Sequence, residues 1–117
     1  MQAFVRVRSS FFGSHTLGNH PECDRDCGHV WNVEVEVFGD EEEERHQMPV
    51  DETRLLQDIS TYAKELTGKD IDKMIKPSVS SPIGIAHYFY ERMANKYEVT
   101  EVRVWINPEV GAILRAP

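Results

Sequence analysis

Trp31, Val33, Val35 and Val37 recur at every second position, with Asn32, Glu34 and Glu36 between them. Successive side chains of a strand point to opposite faces, so this stretch presents one apolar and one polar face only as a β-strand. The same alternation marks Ala3 to Arg8 and continues through Ser9, Ser10, Phe11 and Phe12. It predicts a strand running into a loop that begins near Gly13 and ends near Gly28. The period returns at Val102, Val104 and Ile106, set between Glu101, Arg103 and Trp105. Pro108 and Gly111 predict a turn, and Ala112 to Arg115 a last short strand.

Between these strands the spacing changes. Leu55, Ile59, Tyr62 and Leu66 fall on one side of a helix that Asp51 can cap and Gly68 can stop. Ser81 as cap and Pro82 at the first helical position open a second helix, with Ile85, Ala86, Phe89 and Met93 along one side. The order is ββααββ. Hairpins joined through a helix pair predict an α+β fold: an antiparallel four-stranded sheet with both helices on one face, as a single domain over residues 1–117. A sheet covered on one face, with Phe11, Phe12, Trp31 and Trp105 to accommodate, is expected to meet other copies of itself.

Charge and length narrow the functional classes. The 117 residues carry a formal net charge of −7, which argues against a nucleic-acid partner and against a polybasic membrane-surface protein. No apolar run reaches the ~18 residues of a membrane helix, and residues 1–8 lack the apolar core of a secretory signal, so a cytoplasmic location is expected. The acidic run Glu41 to Glu44 reads as a solvated loop tip.

The chain has only two cysteines, Cys23 and Cys27, and His15, His20 and His29 stand close to them. Cys27 and His29 are two apart at the start of a strand, and His15 comes from the end of the strand expected to pair with it, so three zinc-type donors can converge. Three protein ligands leave the fourth zinc position open, as in a catalytic site; Cys23 or His20 as a fourth would close it. A loop without metal, or a local disulfide between the two cysteines, is the plainer alternative, and a redox-responsive thiol pair a third.

Phe11-Phe12-Gly13-Ser14-His15, followed by Cys23-x-x-x-Cys27-Gly28-His29 and an alternating strand, resembles the 6-pyruvoyl-tetrahydropterin synthase family. That family includes the 6-carboxy-tetrahydropterin synthases of queuosine biosynthesis, and the order of elements matches along nearly the whole chain. The resemblance implies a tunnelling fold (T-fold) that assembles into trimeric or hexameric rings. It also implies a zinc-dependent carbon-oxygen lyase acting on 7,8-dihydroneopterin triphosphate or a related dihydropterin. Carried over position by position, His15, Cys27 and His29 match the metal ligands, Cys23 the catalytic base, and Asp72 the aspartate of a Leu-Asp-His relay. Glu109 and Ser81 match substrate-anchoring positions.

The chain also departs from that pattern. Cys27 stands where the family has a third histidine, and a thiolate makes a bound zinc a weaker Lewis acid. Lys73 follows Asp72 where the relay has histidine; His87 on the second helix reads as a boundary residue, with replacement of that histidine as the alternative. Ile83 and Ile106 stand where the family has glutamates, and Glu109 reaches the second of these positions only by a shift of three residues. These departures define the alternative reading: a divergent T-fold oligomer that binds a metal or a small molecule without pterin synthase activity.

Overall fold

The computed structural model describes residues 2–15, 27–40, 47–71 and 81–117, with positions 14, 15, 27, 28, 40, 69 and 70 described by backbone alone. The two long alternating segments pair as β1 (Gln2–His15) and β2 (Cys27–Asp40), antiparallel along their full length from Gln2 opposite Asp40 to His15 opposite Cys27. β4 (Glu98–Asn107) pairs antiparallel with β2, and β5 (Val110–Arg115) antiparallel with β4. This is the expected four-stranded antiparallel sheet with its ββααββ order. A two-residue strand, β3 (Lys69–Asp70), adds to it in parallel on the outer side of β1, giving the order β3-β1-β2-β4-β5.

The predicted helices are α1 (Glu52–Leu66) and α2 (Pro82–Met93). At the start of α1 the Asp51 carboxylate accepts the Thr53 and Arg54 backbone N–H groups at 3.1 and 3.2 Å, satisfying two donors that the first turn leaves open. Ser81 does the same for α2, its hydroxyl oxygen accepting Gly84 N–H at 3.2 Å, with Pro82 in the first turn. Gly68, at φ +72°, takes the left-handed conformation that a Cβ disfavours and turns the chain out of α1 into β3.

α1 lies over β1, and α2 over β4 and β5. Leu55, Ile59, Ala63 and Leu66 of α1 and Ile85, Ala86, Phe89 and Met93 of α2 close against Trp31, Val33, Val35, Val37, Val102 and Val104. Each of the larger of these side chains contributes about 1.5–3 kcal/mol by leaving water.

Three expectations change. β1 does not end at Phe12 but runs to His15, and β2 starts at Cys27 rather than His29. Gly13 is a strand residue because other parts of the fold need its backbone bare. Its carbonyl accepts the Trp31 indole N–H at 3.1 Å, and a Cβ there would stand 2.9 Å from Ile71 Cδ1. The neighbouring Phe12 carbonyl accepts Gly68 N–H at 2.6 Å, which ties the end of α1 to β1. The aromatic residues also divide. Phe11 and Trp31 are core, stacked 6.0 Å apart with Phe89 beside them, while Phe12 stays exposed and Trp105 is half-buried on the side without helices. Among the described residues no helix is long and apolar enough to cross a membrane.

Candidate functional site

The β1–β2 ladder carries three of the predicted site residues to one end of the sheet. Its register sets His15 opposite Cys27 and Gly13 opposite His29, so two predicted metal ligands are cross-strand partners and the third is two pairs along the ladder. Alternation puts positions 27, 29 and 31 on one face of β2, the face the helices cover. The His29 ring is half-buried and meets Trp31 edge to face, centroids 6.0 Å apart and planes at 89°. Trp31 is fully buried, and its indole is held by Phe11 and by the Gly13 carbonyl. The sequence therefore sets His29 on a rigid platform, since a Trp with both its flat face and its N–H engaged has little freedom left.

The other predicted residues are distributed around this end. Cys23 and Asp72 lie outside the described residues. The last described position before Asp72 is Ile71, fully buried and against Gly13, two residues from His15. The Ser81 hydroxyl accepts a hydrogen bond as the α2 cap, which leaves its own O–H free to donate. Glu109 is exposed in the β4–β5 turn, where Asn107 Oδ1 accepts the Glu109 and Val110 N–H groups at 2.9 and 3.0 Å. Glu109 lines a cavity on the open side of the sheet rather than the helix side that carries His29. His87 is exposed on α2. Among the described residues no three His, Cys, Asp or Glu side chains form a metal-holding group.

Two polar constellations escape a reading by spacing. On α2, Tyr88 is nearly buried; its hydroxyl donates to Glu65 at 3.4 Å, and the Arg92 guanidinium lies 3.4 Å from its ring centroid. Burial, with the Glu65 charge, raises the phenol above its ordinary value against the opposing pull of Arg92. On the open side, Glu34 and Glu101 are 5% and 8% exposed although no helix covers them. Arg6 and Arg8 take one oxygen each of Glu34 at 2.7 and 3.0 Å, and Arg103 and Arg115 one oxygen each of Glu101 at 2.7 and 2.9 Å. Burial pushes both carboxyls up, but the hydrogen bonds and charges of the paired arginines outweigh it, and both lie below the ordinary carboxylate value. The only sequence signal for these pairs is opposite charge at matched strand positions, which an exposed face shows just as often.

A family model described as 6-pyruvoyl tetrahydropterin synthase matches residues 4–117. No curated protein sequence matches the chain. Among solved structures, the 6-pyruvoyl tetrahydropterin synthase of Caenorhabditis elegans superposes with a TM-score of 0.85 at 16% identity, over 100% of this chain and 97% of that one. The Plasmodium falciparum 6-pyruvoyl tetrahydropterin synthase gives 0.73 at 16% identity, over 98% of both chains. An uncharacterized protein from Wolinella succinogenes gives 0.69 at 14% identity, over 100% of this chain and 99% of that one. At such identities the superpositions speak to the fold.

Proposed function

Because the chain belongs to the 6-pyruvoyl tetrahydropterin synthase family, we propose that it is a pterin-synthase-type lyase acting on 7,8-dihydroneopterin triphosphate or a related dihydropterin. In this reading residues 1–117 work as one cytoplasmic domain. His15, Cys27 and His29 hold a zinc ion. Two imidazoles and a thiolate are donors that zinc accepts, and the register of His15 opposite Cys27, with His29 two pairs along the ladder, is the observation that supports the assignment. When bound, zinc supplies Lewis-acid polarisation of a substrate oxygen, weaker with a thiolate at position 27 than with a third imidazole.

The remaining roles fall to the chain's own side chains. Cys23, as a thiolate, takes a proton from a side-chain carbon of the substrate. Asp72 orients the group that carries that proton onward. The Ser81 O–H, free to donate while its oxygen caps α2, binds a substrate acceptor, and the exposed Glu109 carboxylate accepts pterin N–H groups. The edge of β1 beyond the two residues that β3 pairs, and the outer edge of β5, offer backbone groups to further copies, which supports assembly into trimers or hexamers.

Metal content and X-ray absorption on protein purified without added metal, followed by turnover of 7,8-dihydroneopterin triphosphate, test this reading. One zinc per chain with a single sulfur ligand is expected. Cys23→Ala is expected to lower turnover by at least ~100-fold, the usual scale for a lost general base, with zinc and melting temperature retained. Absence of zinc together with absence of turnover overturns it.

One observation favours the alternative of a divergent binding protein. Ile106 is half-buried where the family carries its anchoring glutamate, and Glu109 faces the open-side cavity instead. A ring whose N–H donors find no buried acceptor binds poorly. Saturable binding of a dihydropterin without product would establish that alternative.

A further inference from the structure

On the side of the sheet away from the helices, a cavity of about 320 Å³ opens where Arg6, Arg8, Glu34, Arg103, Trp105 and Glu109 meet. This is near the lower end of small-molecule pockets. The lining is rich in donors and poor in acceptors. Glu34 has spent both oxygens, one on Arg6 and one on Arg8. A guanidinium has five N–H donors, so each of these arginines keeps most of its own. Arg103 gives only its Nε to Glu101, leaving both terminal amino groups with no acceptor among the described residues. The Arg8 guanidinium is steadied 4.9 Å over the Trp105 ring, a cation–π contact that holds it in place without using an N–H. Asn107 has used its carbonyl oxygen on the turn, so its amide can only donate.

Guanidinium forks match phosphate oxygens in geometry as well as in charge. We propose that this cavity binds a small oligophosphate, with Arg8 and Arg103 as the principal donors. The cavity shares Glu109 with the substrate positions proposed above, but it lies on the face of the sheet opposite the His15–Cys27–His29 end and does not depend on the metal there. Glu109, an exposed carboxylate at the rim, opposes an anion and sets a limit on its affinity.

Calorimetric titration of the full chain with inorganic triphosphate tests the proposal. One saturable site per chain is expected, weakening as salt rises. Arg103→Gln is expected to weaken binding by about tenfold or more, the scale of one lost charge-assisted pair. Arg115 still holds Glu101 in that variant, and a thermal melt checks that the fold is kept. Glu109→Gln is expected to change affinity in the opposite direction. Triphosphate is also expected to alter Trp105 emission, with the change lost in Trp105→Phe while calorimetric binding persists. No saturable binding, equal affinity in the Arg103 and Glu109 variants, or binding abolished by His29→Ala but not by Arg103→Gln would each overturn the proposal. The last of these would move the anion to the metal end of the molecule.

Discussion

On the helix-covered side of β2, Trp31, Val33, Val35 and Val37 have no exposed surface, and on the open side Glu34 is 5% exposed with no helix over it. The first burial follows from area alone, because apolar side chains of two layers exclude water whatever the pH or salt. The second depends on charge. Arg6 and Arg8 lie over the carboxylate, and their own side chains remain more than half exposed, so water reaches one partner of each pair but not the other. The same sheet thus has a permanent face and a conditional one. The permanent face fixes the positions of β1 and β2 on which His15, Cys27 and His29 stand. The conditional face exchanges hydrogen bonds with solvent and has spare donors for a ligand.

The sharpest way to break this contrast is to attack the permanent face. Trp31→Ala removes a fully buried indole, its hydrogen bond to Gly13 and its packing on Phe11. A loss of about 3–5 kcal/mol is expected, read as a lower urea midpoint, with an equal loss at pH 4 and pH 7. On the conditional face the loss is expected to be smaller and to depend on pH. Glu34→Gln breaks a charge-assisted pair whose arginines can return to water, so about 1–2 kcal/mol is expected at pH 7. The sign follows from the lowered folded-state carboxyls of Glu34 and Glu101. A carboxyl held below its unfolded value of about 4.3 adds stability above that pH and loses it as pH falls through the folded value. Melting temperature is therefore expected to drop in the wild type as acid is added below about pH 4.5, and to drop less in Glu34→Gln. Parallel acid profiles for the two proteins would show that Glu34 is not held by its arginines.

The contrast also separates what the sequence disclosed from what it withheld. The buried valines of β2, the Asp51 and Ser81 caps and the Gly68 stop were legible, because each depends on residues a few positions apart. Gly13 was misleading. A glycine before a polar stretch signals a loop, and what makes it a strand residue is Trp31, eighteen positions later, together with Ile71. β3 is two residues long and exists only as a parallel addition to β1, with no period to announce it. For the candidate site, the partnership of His15 with Cys27 was legible because strand pairing implied it. The placement of Glu109 was not, because the turn that sets it is built by two backbone N–H groups donating to Asn107 Oδ1, which no periodicity announces. Glu34 and Glu101 read as solvated charges, since the sequence shows opposite signs but not that each carboxylate would be enclosed by two arginines.

The smallest expected effect tests whether the permanent side is free of conditional contacts. Beside the Tyr88–Glu65 contact it has a shorter polar clamp. Tyr97, in the turn between α2 and β4, donates its hydroxyl to Asp58 of α1 at 2.6 Å, and Lys96 reaches the other oxygen of the same carboxylate at 3.4 Å. Burial, with the hydrogen bond and charge of Asp58, pushes the Tyr97 phenol up to about 12. The neutral phenol is the form the fold favours, so the contribution is fully present below the unfolded value near 10 and is lost as pH rises through about 12. Tyr97→Phe keeps the ring and its packing and removes only the hydroxyl, so a loss of no more than about 1 kcal/mol is expected at pH 7. The wild type is expected to lose its advantage over this variant between pH 10 and 12 while the acid profiles of the two coincide. An unchanged gap across that alkaline range would mean that Tyr97 contributes through packing alone. Among the described contacts between the helices, the titrating one would then be Tyr88 with Glu65.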